Sequence, residues 1–369
     1  MKYVELGKYV VIKTGKLDAN ASNENGFFPF FTCSNEPRRI NTYAFEGEYV
    51  IVAGNGDLNV KYYNGKFNAY QRTYAIKPKD SIHGKYLYYF LEKYLVKLRE
   101  LSIGGVIKYI KIGNLTQAKI PLPPLEQQKK IAVILDAADA YRQKTKELIA
   151  KYDELTQSLF LDMFGDPVIT LKKIQFVKLS EVVNSNKIIT YGIVQAGENL
   201  KNGVPYIRTG DIKNGKILTE KLQKTSPEIA KSYERSKCAV GDIVMSIRAT
   251  VGTIAIVPSE LDGVNLTQGT ARISPDTNII DRYFLYYCLK SKDVQLKIEK
   301  QTKGATFREI TLGRLREIKI PLPSLISQTQ FAERVQAIET QKAQAQDSLE
   351  KAEELFNSLL QRAFKGELV

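Results

Sequence analysis

The sequence predicts a mixed α/β protein with two globular domains, each followed by a long helix, in which the two helices pack against each other. The first observation behind this fold class is a repeat, because the segment that begins at Ile120 occurs again at Ile320 without a gap. The second is that each copy continues into a long periodic run without Pro or Gly, which is typical of a long helix. The third is that the other residues mix short β-type runs with helical patches. The residues that recur two hundred positions later are Pro121, Leu122, Pro123, Leu125, Gln128, Leu155, Ser158, Leu159 and Phe164.

Residues 121–165 form the first predicted long-helix segment. Its prolines mark where the helix begins, Gly165 stands where a left-handed cap would end it, and Pro167 prevents its continuation. Residues at seven-residue spacing form two companion series, which predict a stripe for helix–helix packing. The first series is Ile131, Ala138, Thr145, Tyr152 and Leu159, and the companion series is Ile134, Tyr141, Leu148 and Leu155.

Residues 321–369 form the second predicted long-helix segment, with Gly366 at the position of a C-terminal cap. Its packing positions are Phe331, Val335, Ile338, Ala345, Leu349, Ala352, Leu355 and Leu359, with Phe356 beside them. A helix of about 38 residues is about 57 Å long, which is longer than a compact domain is wide. Since such a helix needs a partner along its whole stripe, the two helices are expected to pair with each other.

Residues 1–120 and 166–320 are the two predicted globular domains, and they can be aligned with each other. Gln71 aligns with Gln268 and Thr73 with Thr270, while YLYYFL at Tyr86 aligns with FLYYCL at Phe284. The tyrosine patches lie at helical spacing, which favours core packing over base stacking. The predicted strands are 49–53, 74–76, 242–247, 253–257 and 271–273, and the predicted helical patches are 82–101 and 281–297.

The net charge of +14 is concentrated in the globular domains. Residues 121–165 carry six basic and seven acidic side chains, and residues 321–369 carry five and seven. The domains therefore hold +8 and +9, which indicates two surfaces that face a polyanion such as nucleic acid. Three widely spaced cysteines, Cys33, Cys238 and Cys288, fit a reducing cytoplasm, and no apolar run is long enough to predict a membrane span.

The sequence offers little for catalysis. A single histidine, His83, excludes any mechanism that needs two from one chain. The string GDIKNGK at Gly210 has the spacing of a phosphate-binding loop, but Ile217 stands where Ser or Thr must bind magnesium. We therefore expect a non-catalytic chain that holds neither a metal nor a cofactor.

The side chains that could contact DNA lie on corresponding loops of the two basic domains. Arg and Lys bind phosphates, and Arg, Asn and Gln can also contact base edges in the major groove. The candidates in the first domain are Asn35, Arg38, Arg39, Asn55, Asn59, Tyr63, Gln71 and Arg72. Those in the second domain are Gln195, Asn199, Arg208, Thr209, Asp211, Arg248, Thr250, Gln268 and Thr270.

Several of these strings resemble one protein family over essentially the whole chain. IPLPPLEQQKKIAVIL and its second copy, PYIRTGDI, VGDIVMSIRATVG, GATFREIT and the end at Ala363 are similar to the specificity subunit of type I restriction-modification systems. The resemblance implies two target-recognition domains in pseudo-twofold relation, held by an antiparallel coiled coil of the two long helices. It also implies that each domain binds one half of a bipartite DNA target.

The same resemblance implies the partners. One specificity chain would bind double-stranded DNA and two methyltransferase subunits, with restriction subunits joining through the complex. S-adenosylmethionine, and the ATP and Mg used for restriction, are expected on those partners and not on this chain. If both domains contact one face of the duplex, half-sites would lie about 10 base pairs apart. The helix pair would then set the spacer, so adding seven residues after Lys151 should change the spacer alone.

Two alternatives of a different class remain open at the level of the sequence. The chain could be a coiled-coil scaffold whose basic domains bind nucleic acid without sequence choice. It could also be a self-sufficient nuclease or methyltransferase, although it lacks the Asn-Pro-Pro-aromatic string of amino-methyltransferases.

Overall fold

The computed structural model describes residues 2–165, 174–304 and 308–368. They form two compact units, Met1–Leu148 with Ala345–Val369 and Ile149–Gln344. Each unit therefore contains one globular segment and a part of each long helix, and each has the expected mixed α/β architecture. Pro167 and residues 305–307 of the GATFREIT string lie outside the described residues.

The first unit is built on a six-stranded sheet. The strands of the unit are β1 (Tyr3–Glu5), β2 (Val10–Thr14), β3 (Phe28–Phe31), β4 (Arg38–Ile40), β5 (Phe45–Ala53), β6 (Val60–Ala69), β7 (Thr73–Pro78) and β8 (Lys119–Pro121). Strands β1 and β8 form a separate pair, and the other six form the sheet. Its helices are α1 (Gly84–Leu101), α2 (Ile112–Thr116) and the first part of α3 (Leu125–Phe164). The strand order is β2-β7-β5-β6-β3-β4, with β3 parallel to β6 and the other neighbours antiparallel.

Strand β5 is buried on both faces, which explains its continuous apolar sequence. Val50 and Val52 point into the core that contains α1, whereas Tyr49 and Ile51 belong to a second cluster with Phe67. This alternation is what the two-residue period of a strand produces. The tyrosines of α1 belong to the first core, as their spacing predicts, because Tyr86 and Tyr89 are at most 1% exposed.

The second unit contains smaller sheets. Its strands are β9 (Gln175–Lys178), β10 (Thr190–Tyr191), β11 (Val204–Ile207), β12 (Ile212–Lys213), β13 (Lys216–Ile217), β14 (Gln223–Thr225), β15 (Ile243–Ser246), β16 (Ile254–Ile256), β17 (Asn265–Leu266), β18 (Thr270–Ile273) and β19 (Lys319–Leu322). Its helices are α4 (Pro227–Ser232), α5 (Arg282–Lys290), α6 (Lys292–Gln301), α7 (Leu312–Arg316) and the first part of α8 (Leu325–Lys365). The larger sheets have the orders β10-β18-β15-β16 and β14-β11-β17.

The helical patch predicted at 281–297 is two helices and not one. Ser291 has an extended backbone and its side chain accepts a hydrogen bond from the Val294 amide, so it caps α6.

Among the described residues, no helix is long and apolar enough to cross a membrane.

The IPLP segments are strands that close each globular segment onto its own beginning. Strand β8 pairs with β1, and β19 pairs with β9, both antiparallel. The long helices begin only after the last proline, at Leu125 and Leu325, four residues after the predicted segments start. They end as predicted, with Gly165 at φ 77° and Gly366 at φ 83° in the left-handed region that suits glycine.

Within the first unit, the two helices run antiparallel. Lys146 forms an ion pair with Glu353, 3.0 Å between Nζ and Oε1. The Arg142 guanidinium lies 4.1 Å from the centre of the Phe356 ring. Residue numbers therefore decrease along α3, from Lys146 to Arg142, as those of their partners increase along α8, from Glu353 to Phe356. This is the pairing expected of an antiparallel coiled coil.

The second unit shows the same direction of pairing. Lys342 Nζ lies 2.5 Å from Asp153 Oδ1. Phe160 and Phe164, at the end of α3, contact Phe331 near the start of α8, with ring centres 5.6 and 5.4 Å apart. This aromatic cluster joins the helix pair to the core of the second unit.

The packing stripe of α3 differs from the predicted one in its companion series. Ile131, Ala138, Thr145, Tyr152 and Leu159 are buried or partly buried as predicted. Ile134 is only partly buried, and Tyr141, Leu148 and Leu155 are 56%, 43% and 51% exposed, so these three positions were assigned wrongly. The true companion series lies one residue later, at Leu135, Arg142, Ile149 and Thr156. Arg142 and Thr156 are polar, and an apolar pattern therefore does not detect them.

The same correction applies once in α8. Phe331, Val335, Ile338, Ala345, Leu349, Ala352 and Leu359 are buried or partly buried, as predicted. Leu355 is 56% exposed, and its neighbour Phe356, at 2%, occupies the packing position.

Gln128 and its repeat partner Gln328 tie each long helix to its globular segment. Both side chains are completely buried. Gln128 Oε1 accepts a hydrogen bond from the His83 amide at 2.9 Å, and its Nε2 donates to the carbonyls of Pro123 at 2.8 Å and Ser81 at 3.2 Å. Gln328 makes the equivalent contacts with Asp281, Pro323 and Ile279.

Replacing Gln128 with Ala should destabilise the first unit. The buried amide of His83 and two carbonyls would lose their partner, which costs roughly 1–3 kcal/mol. Urea unfolding of the full chain followed by circular dichroism measures the effect. Gln157→Ala, at an exposed position of the same helix, is the matched control. Equal midpoints for the two variants would contradict the role of Gln128.

Candidate nucleic-acid interface

Three loops of the first unit meet at Cys33. The Asn59 Nδ2 donates to the Cys33 carbonyl at 3.0 Å, and the Cys33 thiol lies 3.6 Å from the Arg72 carbonyl. The Gly54 amide donates to the same Arg72 carbonyl at 2.8 Å. A Cβ at Gly54 would lie 2.3 Å from this oxygen, so the close approach of the loops requires glycine. Loops from three strand ends are thereby fixed together.

The segment 18–22 brings two further candidates to the same region. The Arg38 guanidinium donates to the Ala19 carbonyl at 3.3 Å and to the Ser22 hydroxyl at 3.4 Å. The Gln71 Nε2 lies 3.5 Å from Asp18 Oδ2. Asn35, Arg38, Arg39, Gln71 and Arg72 are all exposed.

An open groove of about 690 Å³ lies beside these loops. Gln71, Arg72, Tyr74, Tyr109 and Lys111 line it. Asn55, half-buried, pairs through its backbone with Tyr109 at the rim. The groove thus combines cations that bind phosphates with amides that can contact base edges.

The second unit repeats this backbone framework contact for contact. The Gln71 amide donates to the Leu17 carbonyl at 2.9 Å, and the Gln268 amide donates to Ile193 at 2.8 Å. The bridge between Asn55 and Tyr109 corresponds to a bridge between Arg248 and Glu309. The predicted alignment of Gln71 with Gln268 is therefore confirmed, and Asn55 corresponds to Arg248.

Thr209, Arg248 and Gln268 come together around Gly269. From the position of a Cβ on Gly269, Thr209 Cγ2 would be 2.9 Å away and Arg248 Cβ 4.0 Å away. The other candidates lie on neighbouring loops. Gln195 and Thr250 are exposed, and the exposed Asn199 accepts a hydrogen bond from the Lys224 amide at 2.9 Å.

Arg208 is fixed by Asp211. Its Nε and Nη2 donate to the two carboxylate oxygens at 3.0 and 2.9 Å, and the Asp211 side chain is only 5% exposed. These hydrogen bonds raise the pKa of the Arg208 guanidinium. Asp211 therefore orients a permanent cation and does not itself face a ligand.

Arg248 and Arg308 are each paired with a glutamate. Arg248 Nε donates to Glu309 Oε1 at 3.0 Å, and Arg308 Nη2 donates to Glu299 Oε1 at 3.1 Å. The four side chains are between 42% and 63% exposed. Such exposed pairs contribute little to stability, so DNA can compete with the carboxylates for both arginines.

The sequence matches a known family model in both halves of the chain. Residues 1–154 and 172–353 each match the type I restriction modification DNA specificity domain. The chain belongs to this family.

Curated relatives extend the similarity over the whole chain. The chain is 29% identical to the type I restriction enzyme EcoDI specificity subunit of Escherichia coli, over all of the chain and 88% of the relative. It is 28% identical to the EcoBI specificity subunit of the same organism, over 87% of the chain and 74% of the relative.

Solved structures support the fold of the specificity domains. The crystal structure of the type I restriction-modification S subunit from M. genitalium has a TM-score of 0.65 at 20% identity, covering 98% of this chain and 96% of that one. A chain from a study of type I complex assembly and conformational transition has a TM-score of 0.56 at 19% identity, covering 100% and 98%.

Four predicted DNA contacts also make contacts inside the specificity domains, and two of the four are buried. Tyr63 packs on Phe31 with ring centres 5.3 Å apart, and Asn59 is used to join loops. Asp211 and Thr270 are 3% and 0% exposed. Asp211 and Thr270 are too buried to contact DNA and were misassigned, because a polar residue in a loop or at a strand end has the same sequence signature whether it points outward or inward. Asn59 and Tyr63 are half-buried and stay predictions.

Three cations that lie beside the predicted contacts were not among the candidates, namely Lys61, Lys111 and Arg308. Lys61 Nζ donates to the Ser34 carbonyl at 2.8 Å, and burial lowers its pKa. Lys111 lines the groove, and the Arg308 carbonyl accepts a hydrogen bond from the Ala249 amide at 2.9 Å. The alignment of Lys108 with Arg308 within each specificity domain was the signal that could have identified this segment.

Proposed function

We propose that this chain is the DNA-recognition subunit of a type I restriction-modification complex, in which each specificity domain binds one half of a bipartite DNA target. One observation carries the proposal. The two domains place different polar side chains on one backbone framework, with Asn55 in the first domain where the second has Arg248. A shared framework with different contact residues is what recognition of two different half-sites requires.

The proposal assigns no catalytic step to this chain. Methyl transfer from S-adenosylmethionine, and the ATP- and Mg-dependent restriction step, belong to partner subunits. The names of the relatives, which are specificity subunits of type I restriction enzymes, support this division of roles. One specificity chain and two methyltransferase subunits form the proposed core of the complex.

An apolar surface on the helix pair of the first unit supports docking of a methyltransferase subunit. In α3, Tyr141 and Leu148 each precede a packing position, and in α8, Leu355 precedes Phe356. In an antiparallel pair, residues that precede packing positions lie on the same side. The ion pair of Lys146 with Glu353 marks the other side. Tyr141, Leu148 and Leu355, each at least 43% exposed, are therefore neighbours on one open side.

Co-expression with a type I methyltransferase subunit tests the proposal. Sequencing of methylated adenines should give one bipartite motif, and the purified complex should prefer that duplex over random DNA at a salt concentration that weakens phosphate contacts. Equal binding to random DNA would instead favour a scaffold without sequence choice. Methylation by the purified chain alone would contradict its non-catalytic role.

The docking surface is tested in the same experiment. The variant Tyr141→Ser/Leu148→Ser/Leu355→Ser should fold normally but fail to co-purify with the methyltransferase subunit, and methylation should be lost. Val133→Ser is the control, because Val133 is also an exposed apolar residue of α3, at 67%, and is not one of the three docking positions. Retention of the partner by the triple variant would remove the docking assignment without affecting the proposal on DNA recognition.

A further inference from the structure

A short hairpin projects from the first unit between α1 and α2. Its stalk is closed by two backbone hydrogen bonds, from the Ile103 amide to the Tyr109 carbonyl at 3.0 Å and from the Tyr109 amide to the Ile103 carbonyl at 2.8 Å. Gly104 has φ 115°, and a Cβ there would lie 2.6 Å from the Ile107 carbonyl. The turn is therefore a defined structure that depends on glycine.

The tip of this hairpin is apolar and in water. Val106 is 104% exposed and Ile107 is 62% exposed, so neither side chain is buried by the protein. Exposing two adjacent aliphatic side chains to water is unfavourable in free energy. Exposed apolar groups of this kind commonly mark a binding surface.

The surroundings of the tip are basic and belong to the DNA-binding region. The Gly56 amide donates to the Lys108 carbonyl at 2.9 Å, and Tyr109 pairs with Asn55. Residues 101–111 contain Lys108 and Lys111 and no acidic residue, and the nearby carboxylates Asp57 and Glu100 are paired with Arg99 and Lys97. The hairpin is thus attached to the rim of the groove and carries positive charge on one side of its apolar tip.

We propose that Val106 and Ile107 insert into the DNA helix as an apolar wedge at a base step of the half-site bound by the first unit. Lysines beside the tip neutralise phosphates, while the two aliphatic side chains contact apolar surfaces of DNA, namely base faces and thymine methyl groups. Insertion of this kind partly unstacks a step and bends the duplex. The assignment rests on the proposed function, since it requires that this unit binds DNA.

The charge of the hairpin favours DNA over a protein partner. An apolar tip that docks in another protein does not need positive charges beside it. Here the flanking lysines complement a phosphate backbone. A protein that occupies the tip remains a distinct outcome, which the experiment below separates from insertion into DNA.

The test uses the full chain with its methyltransferase partner and duplexes that carry 2-aminopurine at successive positions of the first half-site. The wild-type complex should raise the fluorescence at one step. Val106→Ser/Ile107→Ser should abolish this rise and weaken specific binding by about tenfold, with an unchanged dependence on salt because the lysines remain. The control Val96→Ser changes a residue that is 64% exposed on α1 and should behave as wild type.

The outcomes separate the wedge from the function on which it depends. No rise with the wild type, or the same rise with the double variant, would overturn the wedge. Loss of the methyltransferase subunit by the double variant with normal fluorescence would make the tip a protein contact and would also overturn it. Absence of any sequence preference in the wild-type complex would instead show that the proposed function has failed.

Discussion

Adding seven residues to both long helices should lengthen the spacer of the recognised sequence by about three base pairs and leave both half-sites unchanged. A heptad adds about 10 Å of helix and preserves the packing phase, and base pairs are about 3.4 Å apart along B-DNA. The insertions belong after Lys151 and after Gln346. At these points the ion pair of Lys146 with Glu353 stays within the first unit, and that of Asp153 with Lys342 within the second.

The control for the insertion is the same heptad in α3 alone. The sequence by itself predicts a changed spacer for this single insertion. In the antiparallel helix pair, however, two turns of α3 would lack packing partners, so the chain should be less stable and the heptad has to be added to both helices. Sequencing of methylated adenines measures the spacer in each case. Changed letters in either half-site, or an unchanged spacer in the double insertion, would show that the helices do not set the distance.

Replacing Arg248 with Asn should change the second half-site at one base pair. Glu309 accepts a hydrogen bond from Nε of Arg248. The two terminal amino groups of Arg248 have no partner among the described residues. Those two groups have the geometry for a bidentate contact to guanine, worth about 1–3 kcal/mol of discrimination or about 5- to 150-fold. Asn, which the first unit has at this position, favours adenine instead.

Arg308→Asn is the matched control for that substitution. Arg308 is a neighbouring exposed arginine that is also paired with a glutamate. If it contacts phosphate, its loss should weaken binding to all sequences and reduce the dependence on salt. A motif that Arg248→Asn leaves unchanged, or one altered in the first half-site, would contradict a base contact by Arg248.

The long helices and the duplicated domains were predictable because both leave long-range regularities. A run of forty residues without Pro or Gly and a two-hundred-residue repeat survive many substitutions. The strands at the IPLP segments were not predicted. Strand β8 has three residues and its partner β1 lies at the other end of the domain, so neither has a local signal.

The side chains at the helix interface and in the candidate nucleic-acid interface were harder to assign. The companion stripe of α3 was misplaced by one residue, because Arg142 packs its guanidinium on Phe356 and is not apolar. The alignment of Gln71 with Gln268 was correct, since their backbone contacts are the same. Thr270 faces inward because its hydroxyl donates to the Ile207 carbonyl, which is distant in sequence, and Asp211 is held by Arg208, three residues before it; composition reveals neither contact.

The crossing of three loops at Cys33 gives the protein a ready chemical probe. Burial raises the pKa of the Cys288 thiol to about 12, and it raises that of Cys238 further, so both buried thiols stay protonated and unreactive at neutral pH. Cys33 is the accessible one, being only partly buried between Asn59 and Arg72. A thiol-reactive fluorophore should therefore label the native chain at a single position beside the groove, and its emission would report occupancy of the first unit without any engineered residue.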